Sequence, residues 1–172
     1  MGATFRGGAH PYEGKELSEN RPIRVLEAGD ELVFPMSQHI GAPATPVVAV
    51  GDEVKMGQLI GEASGFISAN IISSVSGKVT AVEPRTLSSG AKATCVVIAN
   101  DKNYTPVSGL GKERDYKSLS KDEIRKIVKD AGIVGMGGAG FPTNVKISPK
   151  DPDKIDHVII NGAECEPYLT SD

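Results

Sequence analysis

Val50-Gly51-Asp52-Glu53-Val54-Lys55-Met56-Gly57-Gln58-Leu59-Ile60 sets turn chemistry, Gly51-Asp52 and Met56-Gly57, on either side of a short Glu-Val-Lys strand. Ser73-Ser74-Val75-Ser76-Gly77-Lys78-Val79 is expected to supply a matching half. Working outward, short apolar runs recur at Leu32-Val33-Phe34, Pro46-Val47-Val48-Ala49-Val50, Ala69-Asn70-Ile71-Ile72, Lys78-Val79-Thr80-Ala81-Val82 and Cys95-Val96-Val97-Ile98, with Gly- or Ser-bearing turns between them. That spacing predicts a small all-β barrel or sandwich. With no Trp and 5% aromatic residues, its core must be built mainly from Val, Ile, Leu and Ala.

The paired pattern resembles the barrel-sandwich hybrid of biotinyl and lipoyl carrier domains, quasi-symmetric hammerheads that present a lysine on the hairpin between their halves. Here the interval from Gly57 to Ser76 contains no lysine. That argues against a carrier and for a structural or docking role of the β-domain.

The flanking sequence has a different texture. Residues 1–28 read as an extended arm, since Gly7-Gly8-Ala9-His10-Pro11 and Asn20-Arg21-Pro22 carry turn signals without any helical or alternating period. Residues 29–100 are the β-domain, and the polar stretch 101–117 is a linker. Ser120-Lys121-Asp122-Glu123 then has the form of a capping box, Ile124, Ile127, Val128 and Ala131 follow at helical spacing, and Gly132 suits the left-handed position that ends a helix. A second helix is expected from Pro142 to Ile147, and Asp156-His157-Val158-Ile159-Ile160-Asn161 reads as a buried strand. The expected fold class is therefore α+β and multidomain, a barrel-sandwich hybrid followed at 118–172 by the start of an α/β domain. An α/β unit this small cannot cover both faces of a parallel sheet, so the natural chain is expected to continue past Asp172.

Composition removes several functions. A net charge of −3, with Lys and Arg scattered singly or in pairs, gives no basic face for nucleic acid. No run approaches the roughly 20 apolar residues of a membrane span, and the first residues lack the apolar segment of a signal peptide. Cys95 lies in a strand-like run and reads as a small buried hydrophobe. Cys165 sits among carboxylates, which raise rather than lower a thiol pKa, so it is expected to be unreactive. His10, His39 and His157 have no second ligand at metal spacing, and no metal site and no catalytic acid or base is expected.

Chemistry concentrates near the end. Gly135-Met136-Gly137-Gly138-Ala139-Gly140-Phe141-Pro142-Thr143 formally contains the G-x-G-x-x-G fingerprint, but a helix rather than a strand precedes it, which argues against a dinucleotide-binding turn. A glycine loop feeding a helix start is nonetheless suited to an anion, because backbone N–H groups can approach it unobstructed. The acidic segment Asn161-Gly162-Ala163-Glu164-Cys165-Glu166-Pro167 follows.

These two segments, at this separation, resemble the flavin loop and the acidic segment of the NADH-oxidising subunit of respiratory complex I and its hydrogenase relatives. With Gly7 to Pro11 and Gln38-His39-Ile40-Gly41-Ala42-Pro43 in front, the whole chain resembles the C-subunit family of Rnf-type, ion-translocating ferredoxin:NAD oxidoreductases. The resemblance implies FMN and NAD(H) as cofactors. Gly135, Gly137, Gly138 and Gly140 would line the flavin, with Lys146 near its phosphate or ring. Asn161 and Glu164 would bond its ribityl chain or ring. Phe141 would stack on the incoming nicotinamide nucleotide, with Glu166 near its ribose or nicotinamide. Met136, Ala163 and Ile147 stand where complex I relatives carry Arg, Asp and Trp. The implied partners are NADH, the other subunits of a membrane-bound complex and, indirectly, ferredoxin. The implied location is peripheral, on the cytoplasmic side of the membrane. The 4Fe-4S clusters of the family are expected only beyond residue 172, and these 172 residues by themselves are expected to be inactive and to bind FMN weakly. The other reading of the residues is a docking module with a structural glycine loop.

Overall fold

The computed structural model describes residues 11–164 and 166–170; the sequence features at residues 7–10 and at Cys165 lie outside them. Two compact units are present, residues 27–152 and residues 1–26 with 153–172.

In the larger unit, β1 (Glu31–Pro35), β7 (Lys92–Asn100), β6 (Gly77–Thr86) and β3 (Glu53–Val54) form a four-stranded antiparallel sheet in that order. β2 (Thr45–Pro46), β4 (Leu59–Glu62) and β5 (Ile71–Ile72) form a second, three-stranded sheet. Phe34, Met36, Val54, Ile60, Val75, Val79, Val96 and Ile98 are buried together in one core, aliphatic apart from Phe34 and Met36. Cys95 is fully buried, as its apolar neighbours require.

The segment around Gly51 is clasped by the one expected to match it. Gly51 N–H donates to Val79 O and Val79 N–H returns a bond to Asp52 O, at 2.8 and 2.9 Å. Gly57 N–H donates to Ser73 O and Ser73 N–H to Gln58 O, at 2.8 and 2.9 Å. The run Pro46 to Val50 departs from expectation. Only its first residue lies in a strand, because the Asp52 carboxylate accepts from Ala49 N–H at 2.8 Å and turns the chain early.

The polar stretch after β7 is bonded along the same unit. Met56 N–H donates to Thr105 O and Val107 N–H to Met56 O, both at 2.9 Å. The Ser76 hydroxyl donates to Asp101 Oδ1 at 2.7 Å while accepting from Thr105 N–H at 2.8 Å. α1 (Lys121–Asp130) begins with the capping box at Ser120 and Glu123. It ends in a Schellman arrangement: Gly132 N–H donates to Lys129 O, Ile133 N–H to Val128 O, and Gly132 has φ 66°. Asn70 Nδ2 donates to Asp130 O at 3.2 Å, tying this helix end to the sheet loops.

Two consequences are measurable. Ile60 is fully buried, so Ile60→Ala should cost roughly 2–5 kcal/mol in denaturant unfolding, and a loss well below 1 kcal/mol would contradict this core. The Ser76 hydroxyl, then the Asn103 N–H, hold the Asp101 carboxyl below its usual pKa. A depressed folded-state value stabilises above the unfolded carboxylate range and ceases to do so as pH falls through it. Ser76→Ala should therefore give a shallower loss of stability on acidification; superimposable acid limbs for the two proteins would rule this out.

Candidate functional site

The glycine loop lies wholly in the larger unit and is closed at its base. Val134 bridges Pro142 antiparallel, Gly135 N–H donates to Phe141 O and Thr143 N–H to Ile133 O, both at 2.9 Å. α2 (Thr143–Lys146) follows, with Pro142 as its N-cap. The expected second helix is thus a single turn. Its aligned peptide dipoles are too few to draw an anion, so that capacity falls to exposed backbone N–H groups and to Lys146.

The loop rests on the β-domain. Gly140 is buried with φ 66°, and a Cβ placed there would stand 2.8 Å from Gln38 O and 2.9 Å from His39 Cα. Ile40 N–H donates to Ala139 O at 3.0 Å. His39 is itself buried: Ala69 N–H donates to its Nε2 at 3.1 Å, and Nδ1 lies 3.2 Å from Ile40 O, a pairing that suits the Nδ1–H tautomer. This histidine is structural, holding the floor beneath Gly140. Loop and floor enclose an open groove of about 700 Å³ lined by Ser37 to Ile40 and by Val134, Gly135, Met136 and Gly138 to Gly140.

The glycines therefore divide by role. Gly140 seats the loop, and Gly135 closes it. Gly137 and Gly138 have nothing within 4 Å of where a Cβ would stand, so their backbone faces open space. Lys146 Nζ lies 2.6 Å from the Cβ position of Gly135, which brings a cation to the loop. Phe141 is half-buried, its carbonyl engaged by Gly135.

The acidic segment belongs to the smaller unit. Asn161 Oδ1 accepts from Ala163 N–H at 3.0 Å, an Asx turn that sets the entry. Glu164 is half-buried and pairs with Lys15, Oε2 to Nζ 3.6 Å, and the Glu166 carbonyl accepts from the same ammonium at 3.2 Å. The expected buried strand from Asp156 to Asn161 does not form. Val158, Ile159 and Ile160 are 83%, 88% and 85% exposed, and among the described residues no strand pairs with them. An apolar run becomes a strand only where a neighbouring strand satisfies its backbone. Lys15, Gly14 and Tyr168, which shape the acidic turn, carry no motif that marks them; the only signal is a lone lysine three residues after Tyr12 in an otherwise turn-rich arm.

Two family models cover most of the sequence. Residues 3–103 match the RnfC barrel sandwich hybrid domain, and residues 128–172 match the Nuo51 FMN-binding domain. The first establishes the class: an N-terminal β-domain of the barrel-sandwich type in an electron-transfer subunit. The chain belongs to the RnfC family. It is 47% identical over 169 residues to the RnfC-type subunit of the proton-translocating ferredoxin:NAD(+) oxidoreductase complex of Clostridium ljungdahlii, covering 98% of this chain and 37% of that protein. It is 46% identical over 169 residues to the corresponding subunit of the Na(+)-translocating ferredoxin:NAD(+) oxidoreductase complex of Acetobacterium woodii, covering 98% and 38%. Against the corresponding subunit of the ion-translocating oxidoreductase complex of Vibrio cholerae it is 38% identical over 170 residues, covering 98% and 22%. The chain thus spans between about a fifth and two fifths of the length of these relatives.

Seating at Gly140 can be tested without any ligand. Gly140→Ala forces a Cβ into the left-handed region and against Gln38 O, at a cost of about 1–3 kcal/mol. Amide exchange at Ile40, whose N–H is held by Ala139 O, should accelerate while the β7 amides keep their protection. Unaltered exchange at Ile40 would show that the loop does not depend on this seat.

Proposed function

We propose that residues 118–172 begin the flavin and nicotinamide site of the electron-entry subunit of an Rnf-type complex. In this reading the subunit exchanges hydride between NAD(H) and FMN and passes electrons to 4Fe-4S clusters carried outside these residues. The observation that carries the proposal is a pre-formed glycine loop, closed by Gly135 and Phe141 and seated through Gly140, whose tip at Gly137 and Gly138 is bare backbone. The match of residues 128–172 to an FMN-binding domain supports the same reading.

The residues fit the group. A flat, phosphate-bearing ligand needs side-chain-free backbone on one side and a positive charge at one end, and the loop with Lys146 offers both. When bound, flavin supplies the conversion of a two-electron hydride into single electrons. Gly137 and Gly138 admit the ligand against their peptide groups. Lys146 balances negative charge beside Gly135. Phe141 gives the apolar face against which a nicotinamide nucleotide stacks. Asn161, Glu164 and Glu166 contribute acceptors for hydroxyl and amide donors of the ribityl chain, ribose or nicotinamide. No side chain is required as a general acid or base.

Residues 1–28 are then the arm, 29–100 the β-domain on which the loop is built, and 101–117 the connection. Among the described residues no helix is long and apolar enough to cross a membrane and no group of three His, Cys, Asp or Glu could hold a metal ion. Membrane attachment and clusters accordingly fall to other subunits and to chain outside residues 1–172, with the subunit on the cytoplasmic face.

The full-length protein, purified anaerobically, should show flavin and iron–sulfur absorbance that bleaches with NADH. Gly138→Glu should lower flavin content to a few per cent or less, because a carboxylate then occupies the bare tip and repels phosphate. Retention of wild-type flavin by Gly138→Glu would reassign the loop to a structural role and favour a docking module.

A further inference from the structure

The arm and the acidic turn make one small structure around a single ammonium. Lys15 Nζ donates to Leu169 O at 2.8 Å and to Glu166 O at 3.2 Å, and lies 3.6 Å from Glu164 Oε2. Neighbouring arm residues hold the other side of the turn. Tyr168 N–H donates to Glu13 O at 2.7 Å, and the Ser18 hydroxyl donates to Tyr168 O at 2.6 Å. Tyr168 sits at φ 65°, a costly conformation for a side chain of that size, and persists only where its surroundings fix it. Gly14, at φ 63°, leaves the space its ring occupies; a Cβ there would collide with Tyr168 Cε1 and Cδ1. The Tyr12 ring meets the Tyr168 ring edge-on, centroids 6.4 Å apart.

This is more than a surface ion pair. The Lys15 side chain is 26% exposed and that of Glu164 15% exposed, and the ammonium also reaches two carbonyls that close the turn. A half-buried cation satisfied by three acceptors fixes geometry in a way that an isolated exposed pair does not. Those acceptors flank the segment from Glu164 to Glu166 on both sides. The arm residues Glu13 to Ser18 lie some 150 positions away in sequence, yet they set the backbone of the acidic segment.

We propose that Lys15 is a positioning residue of the nucleotide site: by clamping the Glu164 carboxylate and the Glu166 and Leu169 carbonyls, it presets the acidic turn for flavin and nicotinamide hydroxyls. The proposal rests on the functional reading of that turn given above. It gives the arm a task within its own subunit, and it makes Glu164 an oriented acceptor rather than a mobile surface carboxylate.

The test compares full-length wild type, Lys15→Met and Lys15→Arg, each stripped of flavin and titrated with FMN, with amide exchange followed at Tyr168. Lys15→Met keeps the aliphatic stem and loses the three donor contacts. It should raise the FMN Kd about tenfold or more, a loss in keeping with charge-assisted hydrogen bonds. It should also speed exchange at Tyr168 while leaving protection of the β7 amides unaltered. Lys15→Arg, which can still bridge a carboxylate and carbonyls, should recover most of the affinity. Wild type that binds FMN together with a Lys15→Met variant of unchanged Kd would overturn the clamp alone. Unchanged exchange at Tyr168 in Lys15→Met would overturn it equally. Wild type without affinity for FMN would overturn the reading of the site, and the clamp's role with it.

Discussion

Contact between the Gly140 backbone and the peptide of Gln38 and His39 is the constraint on which the candidate site depends. Backbone packed on backbone at 2.8–2.9 Å from a virtual Cβ leaves no room for any side chain and little for sliding. The buried His39 ring, bonded through both nitrogens, stiffens the surface beneath. Because the loop is also closed by Gly135 and Phe141, its tip is fixed at both ends. Flexibility that glycine would otherwise confer is thus removed where it would blur the site and kept only as absence of side chains at Gly137 and Gly138.

That division explains why a fold elsewhere used to display a modifiable lysine can serve here without one. In a carrier the hairpin between the two hammerheads must move its lysine between sites. In this chain no lysine occurs between Gly57 and Ser76, and loops of the β-domain act as a platform. Residues 37–40 carry the glycine loop, and Asn70 grips the end of α1. Both supports hold backbone rather than side chains of the elements above them. The platform therefore tolerates exchange of exposed positions such as Met136 more readily than exchange of Gly140.

Much of this could be read from sequence, for reasons that are local. The capping box at Ser120 and Glu123 and the stop at Gly132 depend on residues within one helical turn, and both formed as their spacing required. The hammerhead pairing was visible because turn residues and apolar runs are themselves short-range signals. Three features were not legible. Asp156 to Asn161 has the composition of a strand but no partner among the described residues, and composition carries no information about partners. The run from Val48 to Val50 yields to a single side-chain bond from Asp52. Lys15 looks like one solvated lysine among many, and its importance comes only from a contact formed across some 150 residues.

The two segments of the candidate site are restrained by different physics, and this bears on how each can respond. Van der Waals exclusion and backbone hydrogen bonds hold the glycine loop, and neither ionic strength nor pH near neutrality alters those appreciably. An ammonium, a carboxylate and carbonyl dipoles hold the acidic turn, interactions that salt screens and that a competing charged ligand can redistribute. A nucleotide bringing phosphate charge would meet a loop that cannot yield and a turn that can. The rigid segment is then suited to holding the resident flavin, whereas the ion-paired turn is suited to a ligand that enters and leaves. That assignment agrees with the residues themselves, since bare glycine backbone offers permanence of shape and Lys15 with Glu164 offers a charge balance that can be shared.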